Sequence, residues 1–304
     1  MEYKDVRMDL DEYQALAIET LQFKLNEKDG KFITLMGLSG EVGELATEYK
    51  KQLRDGDGYT IFKEKLTEEL GDILWYLSAI AKHEDLSLSR IAKFNLRKID
   101  DRWKDNLIQP SFELFDNNYP PHEQLPRFFK ATFQEKMGGD NKKYTCITWD
   151  DNKFGDPLRD NAYDSDYYRF HDVFHLSYAV ILGWSPVARR LMEKKRKSSP
   201  DIDEVEDGGR AGVIDEAISS LVFEYAKKHS YFEKSNNVDY SLLRTIKELT
   251  KHLEVKIRTG KDWEKAILLG FHHWNKLKKY NGGIIHCNLI DRTMTFEEPH
   301  KEKL

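Results

Sequence analysis

Apolar positions recur at helical period through the first hundred residues. Leu10, Tyr13, Leu16, Ile18, Leu21 and Phe23 keep near the 3.6-residue spacing that gathers side chains on one helix face. Asp9 or Asp11 is placed to cap this helix, which is expected to run to the break at Asp29-Gly30. A second helix is expected from Phe32 to about Arg54, stopped by Asp55-Gly56-Asp57-Gly58. Thr60 can cap a third, with Phe62, Leu66, Leu70, Ile73, Leu74 and Leu77 on its inner face, and Ser87 a fourth through Ile91, Phe94, Ile99 and Trp103. Short connections between helices of similar length make neighbours antiparallel, so the expectation is a four-helix bundle.

The pattern changes at residues 105–165, where Pro110, Pro120, Pro121 and Pro126 break any helix. Arg127–Gln134 and Lys143–Trp149 have strand composition on either side of Gly138-Gly139-Asp140, which predicts a β-hairpin. Helical periodicity returns at Tyr167–Gly183, Val187–Lys197, Gly209–His229, Tyr240–Val255 and Trp263–Lys279. Short extended segments at Ile284–Leu289 and Thr293–Phe296 could join the hairpin in one small sheet. The expected fold is therefore mainly α: a bundle in residues 1–106, a linker at 107–125, and a helical domain with a small antiparallel β-sheet in 126–304.

Composition narrows the class. Hydrophobic residues make up 39% of the 304 and aromatics 12%, enough for real cores, while 33% charged residues and a mean hydropathy of −0.69 argue against a membrane protein. The longest apolar run, Tyr178–Trp184, is far shorter than a bilayer crossing, and the opening MEYKDVRMDL lacks the apolar core of a signal peptide. Cys146 and Cys287 are too few for a disulfide framework, so a cytoplasmic location is expected. The net charge is −5, with no half of the chain strongly basic, and neither a membrane nor nucleic acid is an expected partner.

Candidate chemistry begins with acids. Glu41, Glu44 and Glu48 share one face of the second helix, and Glu69 and Asp72 one face of the third. They adjoin the inward stripes, so Glu41, Glu44, Glu69 and Asp72 should converge on the seam between the helices. Gly40, Gly43 and Gly71 lie inside the same helices, each costing about 1 kcal/mol relative to Ala, and would let a backbone or ligand come close. Four carboxylates at a seam need counter-charge. Oxygen ligands without Cys or His select hard cations, Mg²⁺ or Mn²⁺, and Mg²⁺ held by few protein ligands usually completes its shell with water and substrate phosphate. The expected substrate is a polyphosphate. Asn95, Lys98 and Arg102 on the fourth helix form a polar, basic stripe suited to its oxygens.

Gly40-Glu41-Val42-Gly43-Glu44-Leu45, then Glu68-Glu69-Leu70-Gly71-Asp72, then Asn95-Leu96-Arg97-Lys98 with Arg102, resembles the MazG-type all-α nucleoside triphosphate pyrophosphohydrolases over residues 10–104. The 24 residues between Glu44 and Glu69 fit the family's variable stretch. The resemblance implies Mg²⁺ on Glu41, Glu44, Glu69 and Asp72, and cleavage of a (d)NTP between its α- and β-phosphates to give monophosphate and pyrophosphate. Lys98 and Arg102 would offset charge on the leaving pyrophosphate. Trp75, Tyr76 and Phe32 are candidates for stacking on the base, against the ordinary reading of aromatics as core. Some members carry a further Glu where this chain has Gly40; here Glu48 and Glu68 are the candidate general bases, or a metal-bound hydroxide needs none. The family also implies a homodimer or homotetramer.

Residues 120–300 resemble the C-terminal region that accompanies a MazG-type domain in some proteins, with Tyr168–His175 and Glu204–Arg210 as its recognisable parts. It is expected to regulate or select substrate. His171 and His175, four apart, could ligate a transition metal with Asp172, Glu206, Asp207 or Glu216, with Arg210 nearby in sequence. The stripe His171, Phe174, His175, Tyr178, Ile181 is also an ordinary buried face, its histidines bonded to nearby carboxylates, and that is the expected reading. The basic run Arg189–Lys197 is expected as a solvated helix end. Two alternatives to the main reading are a nucleotide sensor without turnover and a bifunctional protein with a second metal-dependent site at His171 and His175.

Overall fold

The computed structural model describes residues 8–22, 29–103 (the side chains of 102 and 103 excepted) and 112–299. The chain divides into two compact units, Met1–Asp100 and Asp101–Leu304.

The first unit is all α: α1 (Leu10–Glu19), α2 (Gly30–Asp55), α3 (Phe62–His83) and α4 (Leu88–Trp103). The Asp9 carboxylate caps α1 by accepting the Asp11 and Glu12 amides at 2.9 and 2.8 Å. The helix ends earlier than its apolar periodicity suggests. The Thr20 hydroxyl and amide both turn back onto the Ala17 carbonyl, and the Leu21 amide onto Ile18, a tightened last turn that leaves Leu21 outside; Phe23 lies outside the described residues. Gln14 joins three segments at once: its amide nitrogen donates to the Ser78 and Leu86 carbonyls, and its oxygen accepts the Leu88 amide at the start of α4. Ser87 caps α4 through the Arg90 amide, and Asp11 accepts from both the amide and the hydroxyl of Ser89.

Helices α2 and α3 form the main pair. At Gly37 an added Cβ would lie 2.2 Å from the Tyr76 ring, so glycine is what leaves room for that ring against α2. Gly40, Gly43 and Gly71 differ: among the described residues nothing lies within 4 Å of a Cβ there. Several positions expected on an inner face are exposed, among them Leu70, Leu77, Ile91, Phe94 and Ile99. They have the period of core residues, but one copy of the unit does not cover them.

The second unit holds a five-stranded antiparallel sheet in the order β3-β2-β1-β4-β5, from β1 (Phe128–Met137), β2 (Lys143–Trp149), β3 (Asn152–Lys153), β4 (Gly282–Asn288) and β5 (Thr293–Glu297). The hairpin and the closing strands thus combine as expected. Alternation along β1 sends Phe129, Ala131 and Phe133 into the core, with Ile147 of β2 opposite Phe133 and Ile285 of β4 opposite Ala131. Around the sheet run α5 (Asp172–Leu182), α6 (Pro186–Leu191), α7 (Pro200–Val205), α8 (Gly209–Lys227), α9 (Tyr240–Thr250) and α10 (Gly260–Tyr280). Helix α5 is buried on every side and packs closely on α10 at Gly270, where a Cβ would meet Ser177 and Phe174 at 2.8 and 3.0 Å.

Three expectations change here. The stretch before α5 is not helix: Tyr168–Phe170 form a 3₁₀ turn entered through left-handed Tyr167, so α5 begins at Asp172. The basic run is not a solvated helix end. α6 stops at Leu191, and Arg189 and Arg196 are buried on carboxylates, Arg189 on Asp116 at 2.8 Å and Arg196 on Asp207 and Glu254, each at 2.7 Å. Residues 112–125, read from sequence as linker, carry Leu114 and Leu125 in the core as well as Asp116. Among the described residues no helix is long and apolar enough to cross a membrane.

Candidate active site

In the first unit, the face shared by α2 and α3 gathers acids. Carboxylate oxygens of Glu41, Glu69 and Asp72 lie within 4.8 Å of one another. The helical spacing explains the arrangement: Glu69 and Asp72 are three apart on α3, and Glu41 faces them from α2. Glu69 is buried, Glu41 half-buried and Asp72 exposed, so the group forms a shallow bowl with one open side.

The electrostatics are those of mutual repulsion. The Glu41 carboxyl is raised above its ordinary range by burial, then by the charges of Asp72, Glu44 and Glu69, and by a hydrogen bond shared with Glu69. Glu69 is raised by burial, then by Glu44, Asp72, Glu48 and Glu68. Glu44, expected as a fourth ligand, stands exposed outside the 4.8 Å group, close enough for its charge to act on both. Tyr13 of α1 is raised by burial and then by Asp72, which places α1 beside the bowl. No motif in the sequence marks Tyr13, because its relation to Asp72 is tertiary.

Oxygen donors crowded in this way fit a hard divalent cation, which would replace repulsion with attraction and favour the charged form of the carboxylates. Of the candidate bases, Glu48 is committed elsewhere. It accepts from Lys51 at 2.6 Å and from the Tyr59 hydroxyl, and these bonds hold it below the usual carboxylate range, which makes it a weak base. Glu68 is exposed and paired with Lys65 at 2.5 Å.

The other predicted residues are distributed around this centre. Trp75 donates its indole N–H to the Thr20 hydroxyl at 2.7 Å and meets Tyr76 edge-on. Asn95 and Lys98 are exposed on α4, outside the acid group, and the Arg102 side chain lies outside the described residues. In the second unit His171, Asp172 and His175 come together, again within 4.8 Å. Glu206 and Asp207 do not join them: Glu206 accepts the Glu254 amide and Asp207 binds Arg196. Their carboxylates hold the fold together, so the expectation of them as ligands is corrected. Arg210 is exposed at the start of α8. Two acids of α8 reach the histidines instead: Asp215 Oδ1 lies 2.8 Å from His175 Nδ1 and Glu216 Oε2 3.3 Å from His175 Nε2.

Comparison with known proteins agrees with both halves. A family model described as the MazG nucleotide pyrophosphohydrolase domain matches residues 32–106, and one described as the MazG C-terminal domain matches residues 110–300. The Gene 37 protein of Mycobacterium phage L5 is 36% identical over 110 residues, covering 34% of this chain and 96% of that protein. No solved structure matches the chain.

Proposed function

The chain belongs to the MazG family, joining a nucleotide pyrophosphohydrolase domain to a MazG C-terminal domain, and from that premise we propose that it is a Mg²⁺-dependent hydrolase of (d)NTPs that cuts between the α- and β-phosphates. The observation that carries this reading is the three-carboxylate bowl of Glu41, Glu69 and Asp72, two of whose members, Glu41 and Glu69, are raised by burial and then by neighbouring carboxylates, Asp72 among them for both. Mg²⁺, or Mn²⁺ in its place, would supply the positive charge that holds a phosphate oxygen and acidifies water. Glu41, Glu69 and Asp72 would hold it, with Glu44 joining them or ordering its water. The open side of the bowl leaves room for the polyphosphate. Asn95, Lys98 and Arg102 are assigned to phosphate oxygens, and Trp75 to the edge of the nucleotide site.

The active form is proposed to be a homodimer or homotetramer. Phe32, Met36, Leu53 and Phe94 are 64, 65, 85 and 72% exposed, a heavy apolar load for one small unit. Gly40, Gly43 and Gly71 leave backbone uncovered on the acid-bearing helices, where a second copy can approach. The C-terminal domain is assigned a regulatory or substrate-selecting role.

A panel of canonical and modified nucleoside triphosphates, with products identified by ³¹P NMR, tests the reaction. The expected products are monophosphate and pyrophosphate. Diphosphate and orthophosphate would reject the proposed bond.

A further inference from the structure

We propose that the second unit holds a divalent transition-metal ion, of the Zn²⁺, Co²⁺ or Mn²⁺ class, on His171, His175, Asp172 and Glu216. The argument rests on where the ring protons must be. His171 Nδ1 lies 2.8 Å from the Tyr168 carbonyl, which can only accept, so Nδ1 carries the proton. His175 Nδ1 lies 2.8 Å from the Asp215 carboxylate and donates to it for the same reason. In the neutral imidazoles both Nε2 atoms therefore present lone pairs. This carbonyl or carboxylate partner behind the ring is the usual support of a metal-binding histidine.

Both Nε2 atoms lie near the same carboxylate oxygen of Glu216. His171 Nε2 is 3.5 Å from Asp172 Oδ1 and 4.0 Å from Glu216 Oε2, and His175 Nε2 is 3.3 Å from that same Glu216 oxygen. His175 is fully buried, and its Nε2 makes no hydrogen bond despite the nearby oxygen. At that depth Nε2 faces only the Glu216 carboxylate, which pairs with a protonated ring, so a neutral ring there needs a cation between the two. The surroundings also lock the ligands. His171 is stacked on Tyr168 with ring centroids 4.3 Å apart, and Asp215 is fixed from behind by the Ser185 hydroxyl at 2.6 Å and the Val187 amide at 3.2 Å. Two imidazoles, one at the N-cap of α5 and one in its first turn, with a carboxylate from α8, are a donor set for a borderline ion; the oxygen-only bowl of the first unit suits a hard one. Glu216 is 42% exposed, so the ion would sit beneath one movable ligand that opens to solvent.

The test is Zn²⁺ titration of the chelator-treated full chain by isothermal calorimetry, comparing wild type with Glu216→Gln, His171→Gln and Glu41→Gln. The expected result is one tight site per chain that survives Glu41→Gln but weakens at least about tenfold in Glu216→Gln and is lost in His171→Gln. Glu216 is at the surface, so its variant is expected to fold and decides the matter if His171→Gln does not. A Zn²⁺ affinity unchanged in Glu216→Gln would overturn the proposal, leaving His175 as a buried imidazolium between Asp215 and Glu216. So would the loss of the only tight site in Glu41→Gln.

Discussion

At Glu41 and Glu69 the chain keeps two carboxylates where burial and neighbouring charge both oppose ionisation. Because their folded pKa values lie above the ordinary 4.5, the metal-free fold binds protons more tightly than the unfolded chain. It should gain stability as pH falls through the raised values, the gain being complete below 4.5. Mg²⁺ stabilisation should fade over the same fall, since protons compete for its ligands. Glu69→Gln removes one charge from the cluster. Its metal-free melting temperature is expected to equal or exceed that of wild type, while the rise on adding Mg²⁺ disappears; thermal melts with and without the ion decide it. A retained Mg²⁺ shift would remove Glu69 from the ligand set. These acids were legible in the sequence because spacings of three and four put them on one face beside an apolar stripe. Gln14, Tyr13 and Glu216 were less so, since their roles depend on partners dozens of residues away. Arg189 and Arg196 misled for the same reason: a basic run looks solvated until Asp116, Asp207 and Glu254 are brought to it.

Among the elements, the α2–α3 pair sets the geometry of the bowl, and Gly37 sets the pair. Alanine at a helical glycine ordinarily stabilises by about 1 kcal/mol. At Gly37 the new methyl would strike the Tyr76 ring, and overpacking costs about 1–3 kcal/mol. The two effects separate in a double-mutant cycle: Gly37→Ala should stabilise the Tyr76→Ala background by about 1 kcal/mol and leave wild type unchanged or weaker. Urea denaturation measures both, and an equal gain in the two backgrounds would show that the ring does not rest there. Periodicity located the long helices and the paired strands well. It failed at ends: a hydroxyl turning back on the chain closes α1 while its apolar pattern continues, and α6 stops at Leu191, beyond which Arg196 is paired with Asp207 and Glu254 in the core.

For the whole molecule, the mainly α plan with one small antiparallel sheet followed from pattern alone, because helix and strand periods are distinct and the prolines mark where one gives way to the other. What a single sequence hides is which apolar residues are covered by the same chain. Phe94 has core spacing and is 72% exposed. If a second copy covers it, Phe94→Asp should convert the assembly to monomers in sedimentation velocity and lower turnover by at least about tenfold, the effect of a buried charge at an interface. An unchanged sedimentation coefficient would place the interface elsewhere.

The central claim is that Glu41, Glu69 and Asp72 act together through a divalent cation on a nucleoside triphosphate. Its most direct test is the rate of pyrophosphate release by wild type, Glu41→Gln and Asp72→Asn, each with Mg²⁺ and with excess chelator, on protein whose circular dichroism is unchanged. The account predicts release by wild type with Mg²⁺ alone, and a loss of at least about a hundredfold in either variant, as expected when transition-state charge loses its stabilisation. Wild-type rates in both variants, or undiminished release in chelator, would contradict it.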